Sequence, residues 1–434
     1  MLAKRKRVLS GMRPTGRLHI GHYFGALQNW VALQNKLDPM TGEPEYECFF
    51  PVVDWHALTT HYEDTSSIGE NTLQIALDWL SVGLDPQKST IFIQSSVLEH
   101  AELHVILSMI TPLGWLERVP TYKEQIENLK DRDLGTYGFL GYPLLQTADI
   151  IPYGEPKQPL LVPVGEDQVP HVELSREIAR RFNVQFGVSI DPALYDDKNS
   201  LALKHLVFHV VPKLKGEPEG NLEGSYNRTF KEYIGEIGFE NFVDKAGLAK
   251  PFFKQRHVLQ EPEALLTETP RLPGTDGRRM AKSYGNFISL SEPLDSLRNK
   301  VRNMITDPAR VRRTDPGNPD VCPVFSYHKL FSPKPVIERV NRECRTAEIG
   351  CVDCKKLMAD NLVTWIEPIQ AKRREFESQP QRVWDILDDG SKRSRKAAQK
   401  TMERVREAIF GWEDARKSPG SKPAAGAQKV TGGD

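Results

Sequence analysis

Three short apolar runs, each followed by a helical pattern, fill the first 112 residues and leave few folds open. RVLSG (7–11) reads as a strand ending in glycine. After a PTG turn at 14–16, HIGHYFGALQNWVALQ carries Ile20, Phe24, Leu27 and Val31 at helical spacing. EYECFFPVVDWHAL (45–58) contains a second strand that stops at Asp54. NTLQIALDWLSVGL (71–84) is an amphipathic helix closed by Gly83. STIFIQSS (89–96) is a third buried strand, with a helix predicted through 99–112. Parallel strands need such crossovers, and the crossovers cover both faces of the sheet. The fold class is therefore α/β, a doubly wound parallel sheet.

The alternation resumes with a helix at 142–153, a strand at 159–168 and a helix at 169–183. Residues 1–185 are thus expected to form the first part of an α/β domain. From 186 to 272 the pattern weakens in Pro, Gly and mixed charge and reads as an insertion of unknown role. Residues 273–290 form a glycine-containing basic loop, 291–414 a helical domain, and 415–434 a tail without apolar periodicity, expected to be disordered.

Composition narrows the function classes. Among 434 residues, 58 Lys and Arg balance 58 Asp and Glu. This excludes a wholly basic nucleic-acid coat, so a nucleic-acid partner must meet a local basic patch. No apolar run approaches the roughly 18 residues of a membrane helix. The N-terminus lacks an apolar signal core, so a cytoplasmic location is expected.

Two motifs carry chemistry. His19-Ile20-Gly21-His22 lies where the first strand feeds the first helix. A helix N-terminus offers free N–H groups and partial positive charge, which suit phosphate. Two imidazoles add donors, and Gly21 permits close approach. Taken alone, the pair also fits an ordinary surface helix. Gly277-Arg278-Arg279-Met280-Ala281-Lys282-Ser283 places three cations and a hydroxyl on a glycine-hinged loop. Mobile cations of this kind neutralise charge as pyrophosphate leaves. A solvated basic loop is the simpler account of that stretch in isolation.

HIGH followed by a KMSKS-like loop resembles the class I aminoacyl-tRNA synthetases. The stretches SGMRPTGRLHIGHYFGAL, VVDWHALTT, YPLLQTADIIPY, VPVGEDQVPHVELSREIARRF and RMAKS resemble the tryptophanyl branch, over roughly 1–185 and 273–412. The loop departs from the pattern, with Arg279 for the first lysine and Ala281 for the first serine. The resemblance implies a Rossmann-type catalytic domain with an α-helical, anticodon-binding C-terminal domain. The reaction it implies is ATP-dependent activation of L-tryptophan and transfer to the 2′-hydroxyl of the terminal adenosine of tRNA(Trp). ATP, Mg2+ and tRNA would be partners, and the enzyme a homodimer.

Site residues follow from the same match. His19, His22, Lys123, Arg279, Lys282 and Ser283 would stabilise transition-state charge. Gly21, Gly165, Asp167 and Met280 would contact ATP, although Asp167 also reads as a helix N-cap. Asp149 would accept the indole N–H, the ring's only donor. Tyr142 and Gln168 would hold the α-amino group, while Leu9, His56, Gln146, Val162 and Val164 would pack around the ring. Tyr142-x3-Gln146-x2-Asp149 also resembles a tyrosine pocket, so a tyrosyl-tRNA synthetase is the alternative. Leu9 argues against it, because it offers a phenol no hydrogen bond. A synthetase-like RNA-binding paralogue without aminoacylation is the further alternative.

Cys322, Cys344, Cys351 and Cys354 fall within 33 residues, where an even spread of the chain's cysteines would place about 0.4. Cys351-x2-Cys354 has chelating spacing, and all-thiolate coordination suits Zn2+ or a [4Fe–4S] cluster. Free thiols are the remaining option. Some bacterial tryptophanyl-tRNA synthetases are similar here, which favours the iron–sulfur cluster. Lys372-Arg373-Arg374 and KRSRKAAQK (392–400) read either as tRNA phosphate contacts or as solvated helix faces.

Overall fold

The computed structural model describes residues 5–119, 135–214, 222–267 and 272–412. Among them seven strands form: β1 (Lys6–Leu9), β2 (Tyr46–Val52), β3 (Ser89–Ile93), β4 (Leu160–Val164), β5 (Val188–Ile190), β6 (Phe253–Gln255) and β7 (Pro262–Leu266). Five make one parallel sheet in the order β3-β2-β1-β4-β7. Leu9 ends β1 opposite Phe49, and Val164 ends β4 opposite Leu266. The strand order reverses between β1 and β4. Connections there leave toward opposite sides and open a crevice at the strands' C-terminal ends.

The stretch 186–272, read from the sequence as an insertion of unknown role, contributes one strand to the central sheet. Residues 188–255 do build a small core of their own, with Leu194, Leu206, Phe230, Ile234, Phe242 and Phe253 around the antiparallel β5–β6 pair. The chain then returns, and β7 joins the central sheet beside β4. PEALL was not legible as a strand because it lies at the sheet edge. Only Pro262 of its five residues is buried, so no apolar run was required.

The C-terminal region is helical, with Leu294–Arg302, Pro323–Phe331, Lys334–Arg345, Cys351–Glu377 and Pro380–Phe410. It is not a detached domain. Leu297, Met358, Leu362 and Ile366 share one core with Val8, Trp30 and Ile91. The last helix lies along β3, where the Gly390 backbone comes so close that a Cβ would strike the Ile91 carbonyl. Packing of the Cys351–Glu377 helix corrects the reading of one cation, both as a phosphate contact and as a solvated face. Arg373 is buried, with its side chain 2% exposed and paired with Asp78. Its neighbours Lys372 and Arg374 stay exposed, as do Lys392, Lys396 and Lys400. The 415–434 tail lies outside the described residues.

Candidate active site

The turn after β1 and the basic loop meet through their backbones. Ile20 N–H donates to Ile288 O at 3.0 Å, and Leu290 N–H donates to Leu18 O at 2.9 Å. His19 caps the first helix with extended backbone, while His22 N–H donates to His19 O at 2.8 Å. His19 N–H donates to His22 Nδ1 at 3.1 Å, and the two rings lie 3.7 Å apart. A Cβ on Gly21 would fall 2.9 Å from His19 Nδ1 and 3.3 Å from Met280 Sδ, so only glycine admits this packing. Lys282 Nζ donates to Thr15 O (3.0 Å) and Gly16 O (2.9 Å), which anchors the loop on the PTG turn.

Burial, and then the nearby Lys282 cation, push the His19 imidazole down to about 4. His22 is lowered well below its usual value by burial, His19 and Lys282. Both rings are therefore neutral at pH 7 and act as polar donors rather than cations. Buried His19 Nδ1 has no partner among the described residues. A folded-state pKa below the unfolded one gives stability that is complete above about pH 6.5 and lost as pH falls toward 4. Urea titrations at pH 7 and pH 4.5 should show an acid loss that shrinks by on the order of 1–2 kcal/mol in His19→Gln. An identical pH slope in the variant would refute this assignment.

The loop's departure from KMSKS has a local explanation. Ala281 is held through its backbone, its N–H donating to Asn286 Oδ1 at 2.9 Å. Asn286 Nδ2 in turn donates to Asp276 Oδ1 (2.7 Å) and Arg279 O (3.1 Å). A serine hydroxyl is not needed for this bracing, and Asn286 was not foreseen. Met280 is buried, whereas Arg279 and Ser283 are exposed. Lys123 lies outside the described residues.

A cavity of about 410 Å3 opens at the C-terminal ends of β1 and β4. Leu9, His56, Tyr142, Gln146, Asp149, Val162, Val164, Gly165 and Gln168 all line it. Gly25, Ala26 and Asn29 line it too, from the helix that begins at HIGH. Asp167 is exposed beside it and accepts from Gln168 Nε2 at 3.0 Å. The N-cap alternative fails for Asp167, because Gln168 occupies the cap of Val169–Phe182 without a side-chain bond. Gln168 Oε1 lies 2.8 Å from His171 Nδ1, and Tyr142 Oη is 3.3 Å from the same ring. His171 was not foreseen. Gln146 Oε1 is buried with no partner among the described residues.

Asp149 is 3% exposed, and His56 and Gln94 bond its carboxylate. His56 Nε2 hydrogen-bonds with Oδ2 at 3.0 Å, and His100 Nδ1 lies 3.1 Å from Oδ1 as a close polar contact without hydrogen-bond geometry. Gln94 Nε2 donates to both oxygens, at 2.7 and 2.8 Å. The carboxylate is thus held by protein groups before any substrate donor reaches it. Burial would raise its pKa, but His100 and His56 outweigh burial and hold it down at about 2. Gln94 and His100 escaped the sequence reading. The signal for Gln94 was its place just past the end of β3, on the ligand-binding side of the sheet.

The four clustered cysteines do converge. Burial pushes the Cys354 thiol up to about 12, and Cys322, Cys344 and Cys351 lie near enough to add to it. Arg310 Nη1 approaches Cys344 Sγ at 3.9 Å, and His328 Nε2 approaches Cys354 Sγ at 3.5 Å. Arg310 Nε is buried without a partner, a cationic donor suited to thiolate sulfur. Among the described residues, no three His, Cys, Asp or Glu are spaced to hold a metal ion. Cys48, apart from this group, is a buried free thiol in β2.

Comparison with known proteins places this geometry. The family described as tRNA synthetases class I (W and Y) matches residues 2–218 and 241–367. The tryptophan--tRNA ligase of Ralstonia nicotianae is 47% identical over 407 residues, covering 93% of this chain and 98% of that one. The tryptophan--tRNA ligase of Thermotoga maritima is 44% identical over 404 residues, with 93% and 98% covered. Among solved structures, Campylobacter jejuni tryptophanyl-tRNA synthetase complexed with ADP and tryptophan aligns with a TM-score of 0.67. It has 27% identity and covers 93% of this chain and 99% of that one.

Proposed function

The chain belongs to the tRNA synthetases class I (W and Y), and from that premise we propose that its cavity and paired loops make tryptophanyl-tRNA. The enzyme is a tryptophan--tRNA ligase. It activates L-tryptophan with ATP to the adenylate and pyrophosphate, then passes the acyl group to the 2′-hydroxyl of the terminal adenosine of tRNA(Trp). The observation that carries this is one cavity joining an apolar wall, Leu9, Val162 and Val164, to the buried carboxylate of Asp149.

The indole fits between these walls with its N–H toward Asp149. Gln94 divides one amide nitrogen between both carboxylate oxygens. Swinging to a single oxygen frees a lone pair for the indole without stripping the site. Tyr142 and Gln168, braced on His171, face the α-amino group. Neutral His19 and His22 donate to the α-phosphate region, and Lys282 and Arg279 neutralise the departing pyrophosphate. Lys123 is proposed to join them. Gly21, Gly165, Asp167, Met280 and Ser283 complete the nucleotide contacts. Mg2+ enters with the ATP phosphates, whose oxygens are its preferred ligands. No protein nucleophile is needed, because the tryptophan carboxylate itself attacks phosphorus.

ATP–pyrophosphate exchange is the test. Tryptophan should support exchange at least about 10^3-fold better than tyrosine, since a buried polar site rejects a mismatched partner strongly. Equal or greater exchange with tyrosine would move the enzyme to the sister specificity. The enzyme is proposed to work in the cytoplasm, and among the described residues no helix is long and apolar enough to cross a membrane. A homodimer is supported by exposed Leu98, Val105, Met109 and Leu113 around the Glu99–Ser108 helix.

We also propose a [4Fe–4S] cluster at the four cysteines, supported by their grouping and by Arg310 beside Cys344; the thiols would have to draw closer than they stand here to hold it. Cys322, Cys344, Cys351 and Cys354 would hold it, and it would tie Cys322 to the Lys334–Arg345 and Cys351–Glu377 helices. Thiols raised by burial must lose their protons to bind it. Anaerobically purified protein should be brown and absorb near ~400 nm. Colourless protein with one equivalent of zinc would assign the site to Zn2+ instead.

A further inference from the structure

One helix face in the C-terminal region grips both catalytic loops at their shared root. Leu18 and Leu290 pair across the two loops, Leu290 N–H donating to Leu18 O at 2.9 Å. The opposite ends of this peptide pair are held from below. Leu18 N–H donates to Asp78 Oδ2 at 2.7 Å, and Asp78 is fully buried. Its other oxygen accepts from Arg373 Nη1, which also donates to Gln74 O at 3.3 Å. Arg373 Nη2 donates to Gln74 Oε1, and Arg373 Nε donates to Glu377 Oε1 at 2.8 Å. One turn earlier on the same helix, Gln370 Nε2 donates to Leu290 O at 3.2 Å and Glu292 O at 2.7 Å. Gln370 is itself 8% exposed.

We infer that Gln370 and Arg373, with Asp78, are positioning residues that set the HIGH turn and the RMAKS loop at their reacting separation. The physical reason is the location of the bonds. Leu18 immediately precedes His19, and Leu290 is eight residues past Lys282. A shift of either peptide is passed directly to the groups that meet ATP. The helix bearing Gln370 and Arg373 spans Cys351–Glu377, so the active-site spacing is held by the same helix that begins at the cysteine cluster. None of these three side chains lines the tryptophan cavity. Their effect therefore falls on the chemical step and not on amino-acid binding.

This inference rests on the adenylation reaction proposed above, and the experiment separates the two. Gln370→Met keeps volume and burial but removes both donors to the 290–292 carbonyls. Exchange measured with tryptophan titrated at saturating ATP should show kcat reduced about tenfold or more, as expected for slightly misplaced groups, with KM for tryptophan unchanged. Amide hydrogen exchange should quicken in a 286–292 peptide while a 358–366 peptide keeps its protection. The double variant Asp78→Asn with Arg373→Gln, which removes the buried charges together, should show the same kcat-only loss and serves if Gln370→Met does not fold. A folded variant with wild-type kcat, or one whose loss lies in KM for tryptophan, overturns the positioning role. Absence of tryptophan-dependent exchange in the wild-type chain would instead overturn the proposed function.

Discussion

Replacing Asp149 with alanine is expected to abolish most tryptophan activation, with kcat/KM for exchange down by about 10^3-fold or more. Two losses combine. The indole N–H would lose its acceptor in a dry pocket, and His56, His100 and Gln94 would lose the anion that orders them. Stability should fall as well, by about 3 kcal/mol, because buried donors are left unpaired. Asp149→Asn separates the two effects, since it keeps the shape and one acceptor oxygen. It should recover much of the stability and little of the activity. The pH dependence has a definite sign. A carboxyl held at about 2, below its ordinary range, contributes stability that is complete above about pH 4 and lost as pH falls toward 2. An Asp149→Ala enzyme with full tryptophan activity would show that the ring is held by other groups.

Lys282→Ala should cost about 10^2–10^3-fold in kcat, with KM for tryptophan little changed. Lys282 is not among the residues that line the proposed tryptophan cavity. Its present partners are two carbonyls of the PTG turn, Thr15 O and Gly16 O. Burial lowers its pKa, opposed by the charge of Asp78. Carbonyl dipoles are weaker partners than phosphate oxygens, so the ammonium can turn to ATP at modest cost. Lys282→Arg should retain more activity than Lys282→Ala because the cation remains. Equal kcat for the alanine variant and the wild type would remove Lys282 from the chemistry and leave it as a loop anchor.

Some of the site was readable because the resemblance rests on short motifs whose residues share a turn or helix face or end a strand. His19 and His22 share one turn, and Tyr142, Gln146 and Asp149 share one helix face. Leu9 and Val164 end their strands, where a parallel sheet presents ligands. Other members had no such mark. Asn286 reads as an ordinary loop amide until its bonds to Ala281, Asp276 and Arg279 are seen. Arg373 reads as one cation of a basic triplet, yet it is buried because Asp78, 295 positions earlier, faces it. β7 escaped because an edge strand is held by backbone bonds along one side and needs little apolar character.

The candidate pocket side chains followed from the resemblance to the synthetases, while local pattern alone determined the alternation of strands and helices, the HIGH turn, the basic loop and the cysteine grouping. Each is written in near neighbours, where spacing dictates which residues share a turn or a face. Tertiary structure alone decided who satisfies whom. Three distant side chains hold the Asp149 carboxylate, a C-terminal helix braces the roots of both loops, and a strand from the supposed insertion completes the sheet. Hydrogen bonds between remote groups form only after the core has paid the entropy of closing long stretches of chain, so no local pattern records them.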